Sequence, residues 1–396
     1  MKKALTAALA ALMALSLAGC ASVFSKTYFS HSQYESLPRE TSAAGTVEVD
    51  NYIELTLAIN NLVTEHAESA VLHFGSYEGE IADDLAAACR EVSTETALGA
   101  YAVDYISYDL DRIVAYYEAE VFVYYKRTAE ELESIVSVNT AAGLYEAIRE
   151  TLASMGERLV AMVGASDVDE GAVRGYVDEA YFSDPLACVE RPEARVNVYT
   201  GGGFQRIVEL ELDYGASESA LSSRRAVIEN TVSRLAGYVS AEDAAFRALQ
   251  CAVALANECA FSEDAPGTLW SALIEGRADS EGVAAAFKAI CDAAEVECLV
   301  VEGRFERAEH YWNIITVDGE SYHCDISRAM SLGFANTFLV SDSQMWGSYW
   351  WDDQDYPECD GPLTYASLTA PERPPETETP PPAESVPPSE SPEAAA

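Results

Sequence analysis

The sequence predicts an α+β protein: two duplicated α+β units, followed by a third α+β domain. Three observations predict this class. One segment recurs at a fixed offset. Short apolar runs of period two alternate with runs of period 3.6, the signatures of strands and helices. A tight Asp-Gly turn joins two strand-like runs in the C-terminal third.

The N-terminus sets the expected compartment. "MKKALTAALAALMALSLAGC" has Lys2 and Lys3, a short apolar stretch and then small residues. That is the pattern of a secretory signal over residues 1–19. The closing "LAGC" resembles the lipobox of bacterial lipoproteins, which implies cleavage before Cys20 and lipidation of its sulfur. Acyl chains contribute roughly 0.8 kcal/mol per buried methylene, so several anchor a chain without a membrane-spanning helix. The expected location is the cell membrane, lipid-anchored, on its extracytoplasmic face. Residues 20–45 read as a lipidated tether. Residues 371–396 hold nine prolines and six glutamates and read as a disordered tail. The 66 acidic residues outweigh 24 basic ones, for a net charge of −42. Such a surface repels nucleic acid.

Between the tethers the chain repeats. At a constant offset of 89, Val47, Val49, Leu55, Ala58, Ile59, Glu68, Val71 and Gly75 match Val136, Val138, Leu144, Ala147, Ile148, Glu157, Val160 and Gly164. The same offset pairs Glu120 with Glu209 and Tyr125 with Tyr214. An unbroken register over that length argues for duplication. Each copy reads as a short strand, an amphipathic helix, a second strand, a further helix and closing antiparallel strands. The units are assigned to residues 46–130 and 131–235. Their Tyr-rich runs, "AYAVDYISYDL" among them, read as strands whose rings pack on a sheet face.

Residues 236–370 form the third domain. Ser240 and Asp243 suit the first turn of a helix. Gly276 ends a short helix in the usual C-terminal position. In "EGRADSEGVAAAF" the next helix begins near Ser280, and Val283, Phe287, Ile290 and Ala294 share one face. "ECLVVEG" reads as a buried strand. "HYWNIITVDGESYHCDIS" reads as a hairpin turning at Asp318–Gly319. Its two ends return to the same sheet edge, so His310 and Asp325 meet there. A helix start facing that edge brings Ser280 close.

This order resembles the transglutaminase-like superfamily, with its papain-like cysteine hydrolase fold. Bacterial members carry a "GxCxGYAxAF" helix start, then "HAWN", then "DGxWYxVDxTW". Here "LWSALIEGRADSEGVAAAF", "HYWN" and "DGESYHCD" match in turn, and "FLVSD" and "YPECD" are similar to the closing segments. The resemblance implies that His310 holds the place of the base and Asp325 that of the residue orienting it. It gives Trp312 and Asn313 supporting places. The nucleophile position falls on Ser280, where the family has cysteine. A cysteine thiolate is stabilised by a helix N-terminus and a protonated histidine, a device closed to a hydroxyl. Tyr311 for the usual alanine, Val283 for an aromatic and "DISRAM" for Thr-Trp are further departures. Cys291, three turns along the helix, is expected to be buried, and Cys324 to point to the other sheet face.

The resemblance and the departures together imply a lipid-anchored pseudoenzyme. It binds peptide, protein or cell-wall material and needs no cofactor. One rival is an active hydrolase or acyl transferase using a Ser280-His310-Asp325 triad. Another is a purely structural envelope scaffold. Eight cysteines besides Cys20 leave 105 full pairings open. No CxxC or HExxH spacing marks a metal site.

Overall fold

The computed structural model describes residues 46–370. The signal sequence, Cys20, the tether and the Pro/Glu-rich tail lie outside the described residues. The fold is α+β. Two compact units form, one from residues 46–92 with Asp104–Tyr125, the other from Ser93–Val103 and the chain from Lys126 onward. Among the described residues, no helix is long and apolar enough to cross a membrane.

The first unit carries β1 (Thr46–Glu48), β2 (Ser69–Phe74), β3 (Val103–Ile113) and β4 (Tyr116–Tyr125), in the sheet order β1-β2-β4-β3. The second unit opens with β5 (Val136–Val138), β6 (Arg158–Val163), β7 (Glu193–Thr200) and β8 (Arg206–Asp213), in the order β5-β6-β8-β7. The 89-residue offset survives in the register. Val47 pairs with Leu72 and Val136 with Ala161, both in parallel. Val71 pairs with Glu120 and Val160 with Glu209, both antiparallel. The helices Tyr52–Thr64 and Ala141–Ala153 also coincide. Asn51 caps the first through the Glu54 N–H (3.0 Å), and Thr140 the second through the Gly143 N–H (3.1 Å). Each helix ends through a left-handed residue, His66 (φ 52°) or Met155 (φ 58°). The next N–H then reaches back to Leu62 O or Thr151 O, both at 2.8 Å, the hydrogen bond of a Schellman end.

The rest of the second unit is built on β9 (Ala260–Phe261), β10 (Arg277–Ala278), β11 (Glu297–Phe305), β12 (Ala308–Val317), β13 (Glu320–Cys324), β14 (Phe338–Val340) and β15 (Tyr349–Trp350). The main sheet runs β14-β13-β12-β11-β15. Asp318 (φ 53°) and Gly319 (φ 84°) turn the β12–β13 hairpin as their sequence predicts. The helix Ser280–Ala293 lies against β11 and β12 on one side. On its other sides it meets the helices Pro185–Cys188, Glu218–Ala236 and Ala244–Glu258. One continuous core therefore runs from Leu144 to Leu339. A smaller cluster, with Val301, Trp312, Ile314 and Met345, fills the opposite face of the sheet.

Three local expectations change. Every residue from Ser280 to Cys291 except Glu281 is buried, so the central helix has no solvent face in that stretch. The Ala284–Ala285–Ala286 run makes this possible, because small side chains admit neighbours all round. The Tyr-rich run 100–110 is not one strand, because residues 97–102 form a short helix and Tyr101 belongs to it. The segment before Gly276 is a π-type turn, Ser271–Glu275, with Gly276 left-handed (φ 73°) as expected.

Candidate functional site

The helix Ser280–Ala293 begins on Ser280, but its cap is Asp279, whose Oδ1 accepts the Gly282 N–H at 3.0 Å. Ser280 is therefore the first helical residue and not the cap. Its Oγ accepts the backbone N–H of Tyr311 at 3.3 Å. That contact places it beside the start of β12, yet no hydrogen bond joins Ser280 to the His310 ring among the described residues.

His310 and Asp325 do meet. His310 Nε2 lies 2.7 Å from Asp325 Oδ2, with both residues buried. Three more donors hold the carboxylate: Tyr349 Oη (2.8 Å) on Oδ2, and Ser327 Oγ (2.7 Å) and the Arg328 N–H (3.0 Å) on Oδ1. Burial alone would raise the Asp325 carboxyl, but the bonds and charge of His310, with Ser327 and Arg328, hold it below the ordinary value. With Nε2–H donated to the carboxylate, Nδ1 is the ring nitrogen left for another partner.

The two faces of β12 divide the remaining work. Asn313 faces the helix, where its Nδ2 donates to Ala284 O (3.0 Å) and Leu299 O (3.2 Å), fastening helix to sheet. Trp312 faces the other way, near-parallel to His310 with ring centroids 6.1 Å apart. Gly303, opposite His310 in the ladder, admits it: a Cβ there would stand 2.6 Å from the Trp312 ring. Trp312 Nε1 donates to His323 Nδ1 at 3.0 Å, and His323 Nε2 lies 2.8 Å from Asp342 Oδ1.

His323, Asp342 and Cys359 are the one group among the described residues whose donor atoms cluster closely enough to hold a metal ion. Their hydrogen bonds do not suit one. Indole only donates, so His323 Nδ1 accepts, and Nε2 carries the proton given to Asp342. Asp342 Oδ2 accepts the Cys359 N–H at 3.1 Å. Burial pushes the Cys359 thiol up to about 12 and lowers the His323 pKa. Neutral His323 is thus a strut between Trp312 and Asp342.

The structure also brings in a residue that sequence reasoning missed. Arg191, from the second repeat, binds Glu281 Oε1 (3.1 Å) and Tyr311 Oη (3.3 Å) through Nη1. Its Nε reaches Asp178 (3.0 Å), and the guanidinium lies over Phe182. Tyr311 fills this junction, its ring 5.6 Å from that of Phe182. No spacing signal ties residue 191 to residues 90 and 120 positions away. The other cysteines offer no substitute nucleophile: burial raises the thiols of Cys291 and Cys324 well above their usual value. All eight described cysteines are buried free thiols.

No family model matches the chain, and no curated protein matches it. Among solved structures the chain is similar to a transglutaminase at 11 % identity and a TM-score of 0.23, over 52 % of this chain and 60 % of that one. It is also similar to a proposed protease from Parabacteroides distasonis at 9 % identity and a TM-score of 0.21, over 52 % of this chain and 45 % of that one. The chain thus spans less than two thirds of the length of either.

Proposed function

We propose that residues 236–370 are a transglutaminase-like domain used for binding rather than catalysis, carried on a protein anchored outside the cell membrane through lipidated Cys20. Its ligand is peptide, protein or cell-wall material. The observation that supports this reading is the bonding of Ser280: its hydroxyl oxygen accepts a backbone N–H and makes no hydrogen bond to the base position. A serine nucleophile needs its proton directed to a base and a matched oxyanion hole.

Restoring sulfur tests the placement. Ser280→Cys should yield a thiol beside His310 at a helix start, alkylated faster than Cys291 or Cys298. A Ser280→Cys thiol no faster than those would remove the constellation. The rival, an active serine hydrolase or acyl transferase, draws support from the His310–Asp325 pair at 2.7 Å. It requires fluorophosphonate labelling at Ser280 that disappears in His310→Ala, whereas the binding reading requires an inert wild-type protein. Labelled lipid on the mature protein, abolished with membrane attachment by Cys20→Ala, tests the anchor.

A further inference from the structure

A concave site borders Asp342, on the loop that follows β14. The cavity there is about 610 Å³. Trp346 and Trp351 wall it, and Asp342, Asp353, Glu358 and Asp360 supply carboxylates. No lysine or arginine lines it. Trp346 is 71 % exposed, so its indole face is open to a ligand entering the cavity. Trp351 is held edge-on to His323 at 4.9 Å, so that wall stands on the buried strut.

The carboxylates differ in what they already hold. Asp342 is committed, with one oxygen to His323 and the other to the Cys359 N–H. Asp353, Glu358 and Asp360 enter no ion pair among the described residues. Four residues along the chain from Trp346, Trp350 shows what an indole of this loop accepts: the guanidinium of Arg304 lies 5.8 Å from its ring centroid. Trp346 and Trp351 have no such cation among the described residues. The chain's net charge of −42 would draw one from solution.

We infer that this cavity binds a cationic side chain, guanidinium or ammonium, of a basic peptide segment, which inserts between Trp346 and Trp351 with its charge met by Asp353, Glu358 and Asp360. Indole faces and carboxylates also suit a neutral glycan, but three exposed carboxylates with no basic residue in the lining favour a cation. The site is separate from His310 and Asp325, and its occupation does not depend on any chemistry at Ser280.

The test uses the mature protein and a blocked tetra-arginine peptide, titrated by calorimetry at about 0.1 M salt to suppress long-range attraction. A tetra-citrulline peptide of the same shape and an N-acetylglucosamine tetramer serve as neutral probes. Trp346→Ala should weaken tetra-arginine binding about five- to tenfold, the span of a partly desolvated cation–π contact. Glu358→Gln with Asp360→Asn should weaken it at least as much. Asp109→Asn with Asp111→Asn, which removes equal charge elsewhere, should change it less than about twofold. Equal losses in the two double variants, or wild-type affinity in Trp346→Ala, would reduce the effect to general charge attraction and overturn the site. Citrulline binding as tight as arginine binding, or preference for the sugar tetramer, would overturn the cation assignment. Alkylation of Ser280→Cys is unaffected by any of these outcomes, so the two readings fail separately.

Discussion

Glu120 and Glu209 occupy the same place in two copies of one fold, yet only Glu209 is buried. In the first copy Glu120 is exposed. In the second, Glu209 is 3 % exposed and held by Arg158 (2.8 Å), Arg127 (2.9 Å) and Tyr199 Oη (2.9 Å). Ser69 stands where the second copy has Arg158. The short helix Ala97–Ala102 packs on β7 and β8 and brings Tyr101, whose ring lies beneath Arg127 and whose hydroxyl accepts from Arg158. One backbone thus carries the same glutamate as a solvated charge or as the centre of a buried network. The difference lies in the cations and the cover supplied to it.

Hydrogen exchange in the full-length protein reads each copy separately and can break this comparison. The largest expected effect is Glu209→Ala. It removes the buried carboxylate that Arg127 and Arg158 share, leaving them the more exposed Glu131, and should cost on the order of 1–3 kcal/mol of protection in β6–β8. Glu120→Ala should stay within about 0.5 kcal/mol. Equal losses at both positions would show that the network is not what separates the copies. The network also sets a pH response. Burial would raise the Glu209 carboxyl, but hydrogen bonds from Arg158 and Tyr199 and the charges of Arg127 and Arg158 hold it lowered. A depressed folded value contributes stability that is complete above the unfolded pKa, about 4.3, and lost as pH falls through the folded one. Protection in the second copy should therefore fall below about pH 4, and Glu209→Gln should flatten that slope.

A smaller effect sharpens the comparison at the helix ends. His66 and Met155 share left-handed geometry, but Met155 is 5 % exposed, whereas His66 is partly exposed and stacks on Tyr125. Glycine relieves the backbone at both. Met155→Gly should still destabilise by about 1–4 kcal/mol through lost packing, while His66→Gly should stay within about 1 kcal/mol, measured by the same exchange. The smallest effect concerns the paired tyrosines. Tyr125 Oη shares its one proton between Leu62 O and Ala67 O, both at 2.9 Å, whereas Tyr214 Oη donates to Gly156 O at 3.3 Å. Tyr125→Phe should cost about 1 kcal/mol and Tyr214→Phe less. The reverse order would mean that the longer bond is the stronger anchor.

The repeat, most of the element order and the meeting of His310 with Asp325 are legible in the residues alone. Those follow from local rules: period, capping, and a turn that accepts Asp-Gly and returns two strand ends to one edge. The sequence also placed Ser280 at a helix start, since only a few nearby residues decide where a helix begins. The tertiary structure decided the rest. Whether Ser280 faces a base or a backbone N–H depends on how β12 seats against the helix, and Arg191, 90 residues upstream of Glu281, ties that seat down. The all-round burial of the Ser280–Cys291 stretch and of Glu209 likewise depends on elements distant in the chain. Periodicity reports which face of an element is apolar. It cannot report how many neighbours converge on that element, because burial is a property of the assembled layers.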